Sequence, residues 1–387
     1  MNNALAWISH HPEQVRIKAQ SECEFETFVR HKQRRDRSLE RHIPVIAVFL
    51  KNRPTLGGCP KEIANALEFL IPKPSPFVLE RFGGNSDGAY LVPYEPLVNV
   101  VACFSPGVRN SKRFEDELLA RVGIKSHLLD ASSDLELFDT PLIAEFQTFE
   151  KKWLGNESSS TETTLTDWVE RREPCSTDDL LLQMDIEGAE WPILSLTPTE
   201  TLERFSVIVL ELHKLDEILA NPDLFKQRAG KAFKNLGDLF TTIHAHPNNC
   251  CGVSKSLFGS GMKVPRTLEV TLIRKDILKG FEETGELISP ELPHPLDIWR
   301  NVPGKPPIFL GREWRTAKAN MRTIVRIAVQ RLSYLFLWSW KPYVPIGLYK
   351  FYKRTHFRPK IVVKEYSDRG NSFPQGERPR RMAQDQF

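Results

Sequence analysis

Short apolar runs alternate with amphipathic segments through the middle of the chain. The apolar runs predict buried strands at 98–104, 125–130, 146–155, 180–186, 206–212, 239–246 and 266–275. Apolar residues at helical spacing predict helices at 111–123, 164–172 and 220–237. Strands that alternate with helices are typical of a parallel sheet covered on both faces. Because no helix separates the last two strands, they predict an antiparallel hairpin at one edge of the sheet.

The pattern changes on both sides of this α/β domain, which we place at residues 77–282. Residues 1–76 combine a strongly charged stretch with closely spaced prolines, and they predict a helical or irregular cap. Residues 283–310 are rich in proline and predict an irregular connection. Residues 311–387 form a basic, aromatic and amphipathic extension. The sequence therefore predicts one α/β domain with an appendage at each end.

Charge is divided unevenly between the domain and its extension. Residues 311–387 carry 17 Lys and Arg against 5 Asp and Glu, a net charge of +12, although the whole chain carries only +4. The first 310 residues therefore carry a net charge of −8. A chain with an acidic body and a basic tail does not have the charge pattern of a protein that binds nucleic acid along its whole surface, and we expect no specific nucleic-acid partner. The pattern predicts instead that the tail has an anionic partner of its own.

Six cysteines and the amino-terminal residues indicate the compartment. No two cysteines form a C-x-x-C pair, and the first residues contain no apolar stretch typical of a secretory signal. We therefore expect a cytoplasmic protein with reduced thiols, and a disulfide between the adjacent Cys250 and Cys251 is not favoured. No run of 18 apolar residues predicts a helix across a membrane.

Ligands of open parallel sheets bind outside the carboxyl ends of the strands, so residues at predicted strand ends are candidates. Ser105 and Gly107 lie in the turn FSPGVRN before a predicted helix, whose first N–H groups are free to bind a ligand. Asp130 ends the next strand, 23 residues after Gly107. At that spacing an acid can accept hydrogen bonds from both ribose hydroxyls of a nucleoside, although a helix cap explains it equally well.

The segment QMDIEGAEWPIL, residues 183–194, places Asp185 and Glu187 at the end of a buried strand. Charged groups are costly there unless they are paired or used. A further set of polar residues follows the next strands, namely Glu211, His213, His244, His246, Asn248 and Asn249. These residue types suit a general base, a metal ligand or a substrate contact. A divalent metal held by Asp185, His213 and His246 is one interpretation.

Taken in order, these segments resemble the FkbM-like family of S-adenosylmethionine-dependent methyltransferases, in particular its methyltransferase-like 24 branch. The segments are RFGGNSDGAYLVP, FSPGVRNSKRFEDEL, HLLD, TLTDWV, MDIEGAEWPIL, VLELH, IHAHPNN and TLEVTLIRK, within residues 77–276. The resemblance implies a seven-stranded, Rossmann-like class I methyltransferase fold and S-adenosylmethionine as cofactor. One departure is that Ser105, Pro106 and Gly107 stand where many such enzymes have a G-x-G run.

We therefore expect a methyltransferase that modifies a hydroxyl group of a sugar, glycan or related small molecule. The expected cofactor-binding residues are Ser105, Gly107, Asp130 and Asp185. The expected catalytic residues are Glu187, His213 and His246, with either histidine as general base. A non-catalytic adaptor with the same fold, and another transferase of a membrane-associated glycan pathway, remain as alternatives.

Residues 318–354 combine a basic stripe, an apolar stripe and several Trp and Tyr residues. Such a segment suits the surface of an anionic membrane, which would place the protein on its inner face. A helix that packs its apolar stripe on the domain is the alternative. The sequence gives no oligomeric state.

Overall fold

The computed structural model describes residues 58–282, 286–298, 301–302 and 305–315. Most of the expected cap and nearly all of the basic extension, including the predicted membrane contact at 318–354, lie outside the described residues. Within those ranges, no helix has both the length and the apolar character that crossing a membrane requires.

The strands of the described residues are, in chain order, β1 (Leu79–Phe82), β2 (Tyr90–Pro93), β3 (Val100–Pro106), β4 (Lys125–Leu129), β5 (Gln147–Glu150), β6 (Trp153–Leu154), β7 (Glu162–Thr163), β8 (Asp179–Met184), β9 (Phe205–Leu212), β10 (Phe240–Pro247) and β11 (Leu268–Arg274). The α-helices are α1 (Lys61–Leu70), α2 (Tyr94–Leu97), α3 (Arg113–Val122), α4 (Leu165–Arg172), α5 (Glu190–Leu196), α6 (Thr199–Leu202), α7 (Leu215–Ala220), α8 (Pro222–Arg228), α9 (Gly230–Leu239) and α10 (Lys275–Glu282).

Seven strands form one central sheet in the order β10-β11-β9-β8-β3-β4-β5. The neighbours from β9 to β5 are parallel, whereas β11 pairs antiparallel with both β9 and β10. The predicted α/β architecture with a mostly parallel sheet is confirmed. The order matches the doubly wound 3-2-1-4-5-6 arrangement, with β11 inserted before the last strand. The direction of strand succession reverses between β3 and β8, and ligands of doubly wound sheets bind outside the carboxyl ends of such strands. We call this region of the molecule the crevice.

Two apolar cores cover the two faces of the sheet. The first core buries one face against α1, α5 and α9, with Leu67, Trp191 and Phe233 among its residues. The second core holds the β1–β2 hairpin and α3, through Phe82 and Phe114 among others. All eight residues of β9 are buried, as expected for a strand covered on both faces.

Several local expectations need correction. Residues 275–282 form α10, a helix that the sequence pattern does not predict, and Ile277 and Leu278 pack in the second core. Helix α3 begins at Arg113, two residues later than predicted and without a capping side chain, and the Ser111 hydroxyl donates to Asp139. Helix α4 has a side-chain cap, since the Asp167 N–H donates to Thr164 Oγ1 at 3.0 Å. A disulfide joins Cys250 and Cys251, contrary to the expectation for this pair, whereas Cys59, Cys103 and Cys175 are free thiols.

Candidate functional site

Gly107 joins the ends of β3, β4 and β8 at the point where the strand order reverses. Its N–H donates to the Leu129 carbonyl at 2.9 Å, and the Asp185 N–H donates to the Pro106 carbonyl at 3.2 Å. The backbone of Gly107 has a φ of +87°, and a Cβ atom there would lie 1.7 Å from the Asp185 carbonyl oxygen. Only glycine therefore fits this turn.

Asp130 follows β4 and is 5% exposed. One carboxylate oxygen accepts the Ser132 N–H at 2.7 Å and the Ser132 hydroxyl at 2.6 Å. The other accepts the Arg109 N–H at 2.8 Å and the Ser133 hydroxyl at 2.9 Å. These four donors fill the usual capacity of a carboxylate and lower the pKa of Asp130, although burial alone would raise it. Asp130 therefore fixes the turn after β3, and a ribose would have to displace one of these donors.

The Ser105 side chain lies beneath the strand ends rather than at them. It is fully buried, and its hydroxyl lies 3.3 Å from the Cys103 sulfur and bonds the Glu115 carboxyl of α3. The backbone of this turn, and not the Ser105 hydroxyl, is therefore what faces the crevice.

His213, directly after β9, is the centre of a polar cluster. Its Nδ1 lies 3.0 Å from Glu190 Oε1 at the start of α5. Glu190 is fully buried, and the same oxygen accepts the N–H groups of Ile186 and Gly188, each at 3.1 Å. The Trp191 indole also donates to the His213 carbonyl at 2.8 Å. These contacts hold the imidazole ring in one orientation.

The other ring nitrogen of His213, Nε2, faces three carboxylates. It lies 3.4 Å from Glu187 Oε2, 3.7 Å from Glu211 Oε1 and 3.8 Å from Asp185 Oδ1. Glu187 has a left-handed backbone with a φ of +56°, and its side chain is 74% exposed. The structure thus brings the predicted residues Asp185, Glu187 and His213 together, and Glu187 is the most exposed of the three.

Burial and the repulsion between neighbouring carboxylates raise the pKa values of the acids in this cluster. Burial raises the pKa of Asp185 to about 7. Burial, together with the carboxylates of Asp185 and Glu269, raises the pKa of Glu211 well above its ordinary value. Burial alone would lower the pKa of His213, but the adjacent Glu190 carboxylate raises it. The cluster therefore favours any cation that enters it.

Glu211, Glu269 and His246 occupy matching register positions on three neighbouring strands, β9, β11 and β10. Both glutamates are almost fully buried. Two amide groups lie between the acids: Asn301 Nδ2 donates to Glu269 at 2.6 Å, and Asn248 Nδ2 donates to Glu211 at 2.9 Å. Asp87, from the turn between β1 and β2, accepts from both amides, at 3.0 and 3.3 Å.

His246 belongs to a different group from His213. Its Nε2 lies 3.2 Å from Asn301 Oδ1, and its Nδ1 lies 3.5 Å from Asp297 Oδ2. Asp297 also bonds His244 Nε2 at 3.0 Å. Burial would lower the pKa of His246, but Asp297 and Glu269 raise it to about 9, so the ring is held as a cation.

The expected grouping of Asp185, His213 and His246 is therefore not what the structure shows. Glu211 lies beside Asp185 and His213 instead, and one ligand atom from each of these three residues lies within 4.8 Å of the others. His246 is committed to Asp297 and Asn301, which makes it a buried structural cation rather than a base at the crevice.

Five residues of this region were not among the candidates predicted from sequence: Asp87, Tyr90, Glu269, Asp297 and Asn301. The buried Tyr90 hydroxyl accepts from Gln183 Nε2 at 3.3 Å, and the surrounding acids add to the effect of burial in raising its pKa. For Asp297 a signal existed, since PHPLDIW places a carboxylate inside an apolar, proline-rich segment. The others carry no local signal, because their partners are distant in sequence.

A groove of about 830 Å³ between α1, α8 and α9 is lined by Phe69, Phe225 and Phe233, among others. It also includes Phe240 and Thr241, at the amino end of β10. Because β10 runs parallel to β8 and β9, this groove lies at the edge of the sheet opposite to the acidic cluster.

Comparison with protein-family models and with curated proteins finds no match for this chain.

Proposed function

We propose that this protein is an S-adenosylmethionine-dependent methyltransferase that acts on a hydroxyl group of a sugar, glycan or related small molecule. The observation that carries the proposal is the glycine turn at Gly107, at the reversal point of a doubly wound sheet. Nucleoside cofactors bind at such points, against the backbone of the first strand-to-helix turn. The segment-by-segment resemblance to FkbM-like methyltransferases supports the same cofactor.

The acidic crevice suits this chemistry. The cofactor carries a positive sulfonium, and the carboxylates after β8 and β9 favour a cation beside them. In the reaction, the acceptor oxygen forms a bond to the methyl carbon while the carbon–sulfur bond breaks and its electrons stay on sulfur. The hydroxyl proton passes to a base. We assign this role to Glu187 or His213, and the exposed Glu187 carboxylate can pass the proton on to water.

Asp130 favours the alternative of a non-catalytic adaptor. Its carboxylate is filled by donors of the protein itself, so the ribose contact expected from the sequence has no free acceptor. An adaptor would keep the fold without binding the cofactor.

Calorimetry with S-adenosylmethionine, followed by transfer of a labelled methyl group to glycan, lipid and small-molecule fractions, tests both functions. We expect one cofactor per chain and a labelled product that survives conditions hydrolysing methyl esters. Glu187→Gln should lower turnover and leave cofactor affinity within about twofold. No binding at millimolar cofactor would favour the adaptor, and binding without any labelled product would exclude methyl transfer to these acceptors.

A further inference from the structure

Asp185, Glu211 and His213 converge from two adjacent strand ends, and one possible ligand atom of each lies within 4.8 Å of the others. We propose that these three residues bind one divalent cation. The site itself does not depend on the proposed methyl transfer; only its role in catalysis rests on that function.

The distances suit a shared ion. His213 Nε2 lies 3.8 Å from Asp185 Oδ1 and 3.7 Å from Glu211 Oε1. Such contacts are too long for hydrogen bonds. Two ligands at about 2.1 Å from one cation lie about 3–4 Å apart, so these separations match ligands on a common ion.

Asp185 Oδ1 has no hydrogen-bond partner within the described part of the chain. This oxygen atom is buried, whereas the Asp185 side chain as a whole is 26% exposed. A buried carboxylate oxygen without a partner is costly, and such groups in native proteins call for an explanation such as an ion. A divalent cation supplies the missing partner.

The neighbouring acidic group provides an internal comparison. Asp87, Glu211 and Glu269 also come within ligand distance of one another. There, the amides of Asn248 and Asn301 donate to all three carboxylates and take the place of a cation. Glu211 belongs to both groups, since its Oε1 accepts the Asn248 amide at 2.9 Å and lies 3.7 Å from His213 Nε2. No described side-chain amide donates to Asp185, so the proposal concerns the His213 side.

Glu190 completes the arrangement as a positioning residue. Its contact with His213 Nδ1 at 3.0 Å makes Nδ1 the donor and leaves Nε2 free to ligate. Histidines that bind metals usually donate their second ring nitrogen to a carboxylate or carbonyl in this manner. Two carboxylates with one imidazole suit a cation that accepts oxygen and nitrogen ligands, such as Mn²⁺.

In the proposed reaction, the cation would bind the acceptor oxygen and stabilise its negative charge as the proton leaves. His213 Nε2 would then be occupied as a ligand, so the proton would pass to Glu187.

The test is Mn²⁺ titration of the full chain without S-adenosylmethionine, followed by the electron paramagnetic resonance signal of free Mn²⁺. We expect one saturable site per chain. Asp185→Asn, Glu211→Gln and His213→Ala should each weaken binding at least tenfold. Glu269→Gln is the matched control, a buried carboxylate one strand away, and it should stay within about twofold. Circular dichroism melting identifies variants that have not folded.

The absence of saturable binding to the wild type would overturn the proposal, as would equal losses in Asp185→Asn and Glu269→Gln. Glu190→Ala should weaken Mn²⁺ binding about 10- to 100-fold, and Glu190→Gln should recover part of the loss because it keeps an acceptor oxygen. Because Mn²⁺ binding is measured without cofactor, its failure and a failure of methyl transfer are separate results.

Discussion

Position 107 has room for a hydrogen atom and for nothing larger, because the carbonyl of Asp185 stands where a side chain would begin. Gly107 thus packs directly against Asp185, whose carboxylate belongs to the acidic cluster. A change at position 107 would therefore move Asp185 as well as the turn.

We expect Gly107→Ala to lower the free energy of unfolding by about 2–4 kcal/mol, from the left-handed backbone and the clash together. Gly123→Ala is the matched control, since Gly123 has a φ of +83° but nothing within 4 Å of a new Cβ. It should cost only about 1–2 kcal/mol. Urea unfolding measures both, and equal costs would show that the clash is relieved without strain.

Glu115 on α3 is fully buried, and burial raises its pKa to about 7 despite the Ser105 hydroxyl. Folding therefore keeps a proton on this group, and stability is lost as the pH rises from 4.5 to 7. Glu115→Gln should match the wild type near pH 4.5 and exceed it above pH 7, by at most about 3 kcal/mol. Thermal melts at pH 4.5, 6 and 8 check this, and a constant difference across that range would contradict it.

At the scale of elements, the turn between β3 and α3 depends on a neighbouring strand. Arg109 and Asn110 both adopt left-handed backbones, which non-glycine residues rarely do. The carboxylate of Asp130 and the hydroxyl of Ser133 accept their N–H groups and hold this conformation.

Asp130→Ala should therefore destabilise the fold by about 2–3 kcal/mol, because a charged acceptor with four donors is lost. Amide hydrogen exchange at Arg109 should speed up more than exchange in the middle of β9. Ser132→Ala, which removes one donor, should cost about 1 kcal/mol. If Asp130→Ala is as stable as the wild type and amide hydrogen exchange at Arg109 is unchanged, Asp130 does not hold this turn. The ribose contact expected from the sequence would then be the better explanation of Asp130.

The strands that build the crevice could be predicted from sequence because each is a continuous apolar run, as in β8 and β9. Their carboxyl-terminal residues followed from the general location of ligands in parallel sheets, which is how Asp185 and His213 were found. The side-chain contacts between residues that are distant in sequence could not be predicted. Asp297 meets His244 across 53 positions, and Asn301 meets Asp87 across 214. No local pattern encodes such pairs.

At the scale of the whole molecule, the described residues between 297 and 305 pack against the carboxyl end of β10 and are held there by hydrogen bonds. The Asp297 carboxylate is almost fully buried and bonds His244. Its pKa lies well below the ordinary value because His244 and His246 outweigh the effect of burial. Asn249 adds contacts to the carbonyls of Val302 and Lys305, each at 3.0 Å.

Asp297→Ala should lower the free energy of unfolding by about 3–5 kcal/mol, because it leaves two buried imidazoles without their carboxylate. Limited proteolysis should then cut residues 286–302 faster than in the wild type. Glu136→Ala, an exposed acid elsewhere, should change stability by less than about 0.5 kcal/mol. Wild-type stability and cleavage in Asp297→Ala would show that other contacts fasten this segment.

The reversed direction of β11 has a consequence for how such a protein can diversify. Because β11 runs against its neighbours, residues 248–267 form a loop that begins and ends beside the crevice. Insertions or deletions in that loop can reshape the entrance without changing the register of any strand. Under the proposed methyl transfer, we therefore expect the choice of acceptor to respond to changes in the length of that loop, while the glycine turn stays constant.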